Sequence, residues 1–420
     1  MIFQDALKSI RNNLSKALFY WLTFVLTSMF IFLFFNISMS DEIGVTFINS
    51  TQNLALTLTV FVIIVCMIIV FFANDFFVKN KAKDLAIRLI CGATYSQLAS
   101  YLLSQTFLLM LLAIPLGIIL ALVCIPFINL AFASFLSESF AIRVHFDAVI
   151  LTTIILVSVV FWTTYLNLAF AYRNSASSLL NERKMANPLG SLISVKTTMS
   201  AKLKRTAFLL CAVLPVIYIY FYPEGVMQAA MIGLFGLYGC LKHVLIPYIE
   251  KQIRHTKISD PISLASLGFV RTDIQIMKNN IVLFLICTII LSSIVLSENS
   301  KPLEMMLSML SYIVMSVLLS LAMMFQYSTE ISNRKMLYQS LYQIGYNRTK
   351  LKNIMTREVM MLYAIICLMS LFYLGNMFLT LILHGQMETG FALLLLAFVI
   401  IPLLLCALFS LYHYKRTIRL

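Results

Sequence analysis

Residues 54–92 open with Leu54-Ala-Leu-Thr-Leu-Thr-Val-Phe-Val-Ile-Ile-Val-Cys-Met-Ile-Ile-Val-Phe-Phe-Ala-Asn-Asp-Phe-Phe-Val78. They continue with Lys79-Asn-Lys-Ala-Lys-Asp-Leu-Ala-Ile-Arg-Leu-Ile-Cys-Gly92. The first part is apolar on all sides and long enough for a bilayer core, which needs about 20 such residues in a helix. A barrel strand would instead alternate over roughly ten residues. The second part is basic and amphipathic, and it stops at a glycine. An apolar span followed by a short basic helix is the pattern from which the rest of the chain can be read.

Composition extends that reading to the whole protein. The chain is 61% hydrophobic and 11% charged over 420 residues, with a mean hydropathy of +0.93. A soluble domain carries about 25% charged residues, so this chain lacks the charge to cover a water-facing surface. With 13 Gly, 9 Pro and 8 scattered Cys, it reads neither as collagen nor as a disulfide scaffold. No CxxC occurs, and the five His are scattered, so no metal site is expected. The net charge of +14 fits loops on the cytoplasmic side, which carry excess Lys and Arg beside anionic lipid. Nucleic acid is not expected as a partner.

Apolar runs of the same kind recur at 17–40, 54–78, 102–131, 148–172, 207–222, 226–248, 280–297, 304–327, 359–384 and 391–413. The expected fold is an all-α polytopic membrane protein of about ten transmembrane helices. With the N-terminus inside, only Arg143 and Lys301 fall in outside loops, and every other Lys and Arg falls within. Both termini are therefore expected to be cytoplasmic. All outside loops are short. Asn36 and Asn74 are candidates for hydrogen bonds between helices, and no span shows the buried charge series of a proton relay.

The stretch after the second span has a counterpart after the eighth. Ile331-Ser-Asn-Arg-Lys-Met-Leu-Tyr-Gln-Ser-Leu-Tyr-Gln-Ile-Gly-Tyr-Asn-Arg-Thr-Lys-Leu351 aligns with residues 78–98 when Gly345 is set on Gly92. Lys81 then pairs with Arg334. Identity is low, but each copy reads as short helix, Gly stop, cap, new helix. Asp84 and Arg88 are spaced i,i+4, with the acid first, which supports a helix. Leu85 and Leu89, with Ile90, give an apolar side. Gly92 suits the left-handed position after a helix. Thr94 and Gln97 form a capping box for the next helix. In the second copy Asn347 can cap, while Lys350 removes the reciprocal half of the box. The expected layout is 4+2+4: a first four-helix unit at 1–172, a linker with two helices at 173–258, and a second four-helix unit at 259–420, the two units being parallel repeats.

The run Lys83-Asp84-Leu85-Ala86-Ile87-Arg88-Leu89-Ile90-Cys91-Gly92-Ala93-Thr94 resembles the signature loop of the FtsX-like permease family of ABC transporters, with Cys91 in place of the usual Leu. Ala6-Leu7-Lys8-Ser9-Ile10-Arg11-Asn12-Asn13 is similar to that family's amphipathic leading helix, and Ile262 to Asn280 would be its counterpart in the second unit. The layout resembles the ten-helix permeases of bacitracin-resistance (BceB-like) transporters. Those carry a large extracellular domain between the seventh and eighth helices. Here that loop is only Ser297 to Glu304, so roles assigned to the domain do not carry over.

The resemblance implies a permease subunit without enzymatic activity of its own. The chain has no GxxxxGK[ST] motif, and no Gly is followed by Lys, so no phosphate-cradling loop is present. ATP and Mg would be held by an ABC ATPase homodimer, two copies per permease, on the cytoplasmic side of the bacterial plasma membrane. Lys79, Lys81, Lys83, Asp84, Leu85, Arg88 and Gly92 would meet one ATPase. Arg334, Lys335, Gly345, Arg348 and Lys350 would meet the other. Ala113, Gly117 and Ala121, and Gly233, Gly236 and Gly239, are small residues at helical spacing, expected to pack helices closely. The expected substrate is a peptide, an antimicrobial peptide or another amphipathic molecule, exported or removed by mechanotransmission. The alternatives are an ATP-independent secondary transporter, or a membrane sensor partnering a histidine kinase.

Overall fold

The computed structural model describes residues 14–39, 50–135, 142–175, 177, 179, 201–222, 226–255, 260–297, 302–385 and 387–417. The leading segment Ala6 to Asn13 and most of the linker before residue 201 lie outside them. The described residues are almost wholly helical, without a strand. Ten helices are long and apolar enough to cross a membrane. The chain is an all-α, multi-pass membrane protein. Helices satisfy their own backbone groups, and that is what permits a chain this apolar to sit in lipid.

Two compact units are distinguished: Met1–Lys196 with Lys301–Leu307, and Thr197–Ser300 with Ser308–Leu420. The first contains α1 (Leu14–Ser38), α2 (Ser50–Asn80), the short α3 (Ala82–Ile90), α4 (Tyr95–Phe135) and α5 (Phe146–Arg173). In it, α1 packs on α2 and α4, and α5 packs on α4. Helix α4 presents Ala113, Gly117 and Ala121 along one side. Ala113 and Ala121 are fully buried. A Cβ on Gly117 would overlap the Ser28 hydroxyl and come 2.6 Å from the Val25 carbonyl oxygen of α1. Close approach of these two backbones therefore requires glycine. Polar ties cross the same unit. The Tyr20 hydroxyl donates to Asn74 Oδ1 at 2.8 Å, and Asn74 Nδ2 donates to Asn167 Oδ1 at 2.8 Å. Asn36 Oδ1 accepts the His145 backbone N–H at 2.8 Å. Both asparagines thus bond between elements, as their positions in apolar runs suggested.

The second unit contains α6 (Ala201–Phe221), α7 (Val226–Cys240), a π turn (Leu241–Leu245), α8 (Ile246–His255), α9 (Pro261–Ser297), α10 (Pro302–Asn333) from Ser308 onward, the short α11 (Lys335–Gln343), α12 (Arg348–Leu383) and α13 (Thr389–Thr417). Helices α6 and α7 pair through a glycine seam. Cβ atoms at Gly236 and Gly239 would run into the Cys211–Ala212 backbone and the Phe208 ring of α6, and one at Gly233 into the Tyr373 ring of α12. The Tyr373 hydroxyl donates to the Ala212 carbonyl at 2.6 Å, and Tyr220 donates to Asn376 at 2.9 Å. These ties fasten α6 and α7 to α12, so they lie in the same unit as the last four long helices.

Helix α9 begins at Pro261 rather than at 280, where its apolar run begins, and spans 37 residues, roughly 55 Å. The amphipathic segment 262–280 runs straight into the span. Asp260 starts it: its carboxylate accepts the Ser263 N–H at 3.3 Å and the Ser263 hydroxyl at 2.6 Å. Pro261 follows, where no N–H is needed.

Candidate functional site

Each unit carries one nine-residue helix between two long ones, α3 between α2 and α4 and α11 between α10 and α12, and the two are built alike. Helix α2 breaks at Lys81, whose N–H reaches back only to the Val78 carbonyl at 3.0 Å. Helix α3 then runs to Ile90. Gly92 adopts φ 92°. The Gly92 N–H bonds to the Leu89 carbonyl and the Ala93 N–H to the Arg88 carbonyl, both at 3.0 Å. This pair of bonds is the Schellman stop, and it needs a residue free to take positive φ. Two residues on, the Thr94 N–H donates to Gln97 Oε1 at 3.1 Å and the Gln97 N–H to Thr94 Oγ1 at 3.3 Å. The capping box expected from the sequence is formed.

In the second unit α10 breaks at Arg334 with φ −83° and ψ −5°, and Lys81 has φ −90° and ψ −5°. Gly345 adopts φ 105° and makes the same two bonds, its own N–H to Tyr342 O and the Tyr346 N–H to Leu341 O. Asn347 stands at the N-cap of α12 in an extended conformation, but its side chain makes no capping bond. There the expectation of an asparagine cap fails, and backbone geometry alone starts the helix.

The short helices divide their residues between two faces. On α3, Ala82, Leu85 and Ala86 are buried, at the i, i+3, i+4 spacing of one helix face. Lys83, Asp84 and Ile87 face outward, and Ile90, 65% exposed, lies out with them. Leu85 is therefore turned into the core and away from any partner, and Ile90 does not join the inner face. Lys81 is only 3% exposed, its ammonium 6.0 Å from the Phe77 ring centroid. Lys79 bonds Asp75 at 2.6 Å. The Arg88 guanidinium lies 3.9 Å from the Tyr101 ring centroid, which ties α3 to α4. On α11, Leu337 and Tyr342 are exposed, with Ile344 just beyond its end, while Tyr338 is buried. Arg348 and Lys350 are exposed at the start of α12, Arg348 being 6.0 Å from the Tyr342 ring centroid. The side chain of Lys335 lies outside the described residues.

Arg334 differs most from its sequence assignment. It is 3% exposed and lies under α11, so its side chain is unavailable to a partner. Its Nη1 is 2.5 Å from Glu358 Oε1, its Nη2 bonds Asp273 and also Thr272 Oγ1 at 3.2 Å, and its Nε is 3.5 Å from Glu330. The Phe269 ring centroid lies 5.0 Å from the guanidinium carbon. Burial opposes the Arg334 charge, and Asp273 and Glu358 beside it prevail, so its pKa lies above the ordinary value. Three tyrosines complete the cluster. Tyr327 and Tyr338 donate to Glu358 at 3.0 and 3.2 Å. The Tyr414 hydroxyl donates to Glu358 at 2.9 Å and sits 2.8 Å from the Tyr338 oxygen. Burial, and then the Glu358 charge, hold the Tyr338 hydroxyl well above its usual pKa. The cluster joins α9, α10, α11, α12 and α13 at one end of the unit.

Sequence reasoning missed Asp273 and Glu358. Both lie just before the apolar runs at 280 and 359, where acids read as interfacial. The available signal was Arg334 itself, at the break between helices where Lys81 stands in the first copy. Setting Gly92 on Gly345 also places Gln105 at the position of Glu358. Gln105 is fully buried, and neither polar atom of its amide has a partner among the described residues. Among those residues no three His, Cys, Asp or Glu side chains are grouped to hold a metal ion.

Residues 56–175 match the family model described as FtsX-like permease C-terminal. That stretch runs from α2 through α3 and α4 to the end of α5. Comparison with curated proteins found no match. The family is a transport subunit of the ABC class, not itself a hydrolase, and works with an ABC ATPase. With its ten apolar helices, the chain is a multi-pass integral protein of the bacterial plasma membrane.

Proposed function

We propose that this chain is an FtsX-like permease, the membrane subunit through which two ABC ATPase copies export or remove a peptide, an antimicrobial peptide or another amphipathic substrate, as in BceB-like transporters. The observation that carries the reading is the duplicated connector: a short helix, a glycine at positive φ and a freshly started long helix, once in each unit. Helices α3 and α11 are the coupling elements, each on the cytoplasmic side of its own unit. Lys83, Asp84, Ile87 and Ile90 offer one ATPase a charged rim around an apolar centre. Leu337, Tyr342, Ile344, Arg348 and Lys350 offer the other a more apolar surface.

The mechanism follows from how the short helices are held. A Schellman stop followed directly by a new helix leaves little slack, so a push on α3 passes to α4, and one on α11 passes to α12. Arg334 strengthens the second connection because it binds the base of α11 to α9 and α12. ATP-driven closure of the ATPases would then move each unit through its connector. The test is a gentle-detergent pull-down of the tagged chain with intact-complex mass. Two ABC ATPase copies per permease are expected. A chain recovered alone under several mild conditions would overturn the assignment.

One observation favours a second reading. Asp273, Arg334 and Glu358 form a buried ionisable group, and such groups mark ion pathways in secondary transporters. Substrate transport persisting in vesicles that contain the chain without any ATPase would select that reading.

A further inference from the structure

The first unit has a polar interior of its own behind its connector, and it stops one bond short. Tyr20 of α1 is buried and lies flat on Phe77, with ring centroids 4.6 Å apart and planes within 10°. The stacking fixes the hydroxyl, which donates to Asn74 Oδ1 at 2.8 Å. With its oxygen so used, Asn74 turns its Nδ2 to Asn167 Oδ1, again at 2.8 Å. The same bond sets the Asn167 amide, because an oxygen facing Asn74 leaves the nitrogen for another partner. Asn167 is 1% exposed, and its Nδ2 has no partner among the described residues. The series of bonds from α1 through α2 to α5 therefore ends on a buried donor.

Asn167 also lines a cavity between α2 and α5. The cavity holds about 10 Å³, and Asn74, Asp75 and Asn167 line it beside the apolar Val78, Leu166 and Phe170. That volume is about what one water needs. Cavities that stay empty are apolar, whereas water settles where at least two polar groups can hold it. Here Asn167 supplies a donor. Asp75 supplies an acceptor: its Oδ2 takes Lys79 at 2.6 Å, and an ionised carboxylate has room for several donors. An amide N–H left without an acceptor in the interior is costly, so the pairing satisfies a need that the protein groups leave open.

We infer that one ordered water occupies this cavity, accepting from Asn167 Nδ2 and donating to the Asp75 carboxylate. The series then runs unbroken from Tyr20 through Asn74, Asn167, the water and Asp75 to Lys79 in the last turn of α2. Lys79 stands two residues before the break at Lys81, so the water fastens the foot of α2 to α5 next to the connector. Setting Gly92 on Gly345 places Asn74 at the position of Tyr327. In the second unit Tyr327 reaches the buried Glu358 at 3.0 Å, and its ring lies 6.1 Å from that of Tyr414 on α13. Each unit thus ties the helix before its connector to its last helix at the same level. One does so with rings and a carboxylate, the other with amides and an exchangeable water. The site assumes nothing about transport or an ATPase.

The test is a density map of the full chain in lipid nanodiscs, at a resolution that shows ordered water, together with melting curves of the wild type and Val78→Ile. A single isolated peak within hydrogen-bond distance of Asn167 Nδ2 and Asp75 is expected. An empty cavity would overturn the water. Continuous density from a lipid or detergent head group would also overturn it and assign the cavity to an amphiphile. Val78→Ile adds one methylene to the cavity wall. Filling a dry cavity stabilises a protein, whereas expelling a well-held water destabilises it. A lower Tm with the peak lost is therefore expected, and a higher Tm would count against the water. The wild-type map decides the question even where the variant is not recovered.

Discussion

Glu358 and Gln105 stand at matching positions of the two units, the one a buried carboxylate 2.5 Å from the Arg334 guanidinium, the other a buried amide with both polar atoms unpartnered among the described residues. The same place behind the short helix is charged in one unit and neutral in the other. Removing the Glu358 carboxylate would leave Arg334 still facing Asp273 and Glu330. It would, however, strip three buried tyrosine hydroxyls of their shared acceptor, and a buried polar group left unsatisfied costs about 1–3 kcal/mol. Glu358→Ala should therefore lower the thermal stability of the purified chain sharply. Gln105→Leu removes an unsatisfied amide and should be neutral or stabilising by about 1–2 kcal/mol. Melting curves of the two variants in one detergent compare them directly. A destabilising Gln105→Leu would show that the amide has a partner, such as bound water.

The inner and outer faces of α3 make opposite predictions. Leu85→Ala empties a core position and should cost about 2–5 kcal/mol of stability. Ile87→Ser with Ile90→Ser should leave stability within about 0.5 kcal/mol while reducing recovery of the ATPase. Charge reversal at Lys83 and Arg88 should abolish substrate-stimulated ATP hydrolysis while the chain still reaches the membrane. Normal stimulation in that variant would remove the coupling role from α3.

Gly92 and Gly345 separate backbone cost from steric cost. Both have positive φ, and a Cβ at either would meet nothing within 4 Å. Gly92→Ala and Gly345→Ala should each cost about 1–2 kcal/mol through the left-handed backbone alone. Gly117→Ala has the opposite origin, since its Cβ would strike Ser28 and the Val25 carbonyl. It should cost about 1–3 kcal/mol by forcing α1 and α4 apart. Chemical denaturation of the three variants would give these differences.

Asp260 supplies a pH test. Its hydrogen bonds from the Ser263 hydroxyl and N–H hold its carboxyl below the ordinary value. A lowered folded-state pKa means that the stabilisation is present above the unfolded value, about 3.9. It is lost as pH falls through the lowered folded-state pKa. Asp260→Asn keeps an acceptor at the cap and does not titrate. The wild-type chain should lose stability relative to it only below about pH 4. A difference that grows near neutral pH would locate the titration elsewhere.

What the sequence reveals here depends on how local the physics is. The ten spans follow from uninterrupted apolar length. The Schellman stops at Gly92 and Gly345 and the Thr94–Gln97 box involve residues a few positions apart, so spacing alone locates them. The Arg334 cluster joins residues 61 and 24 positions distant in sequence, and no periodicity relates Asp273 to Glu358. The outward turn of Ile90 was likewise hidden. Its neighbours Leu85 and Leu89 share the inner stripe, and only packing against α4 decides which side a residue at the end of the helix takes.

The glycine seam between α6 and α7, with Tyr373 reaching across to the Ala212 carbonyl, bears on how the polypeptide could be divided. Helices α6 and α7 lean on α12 for their packing. A chain expressed as two separate polypeptides should keep α6 and α7 folded on α12 when the cut falls between residues 179 and 201. A cut between 255 and 260 would strand α6 and α7 with no Tyr373 to fill the hollow at Gly233.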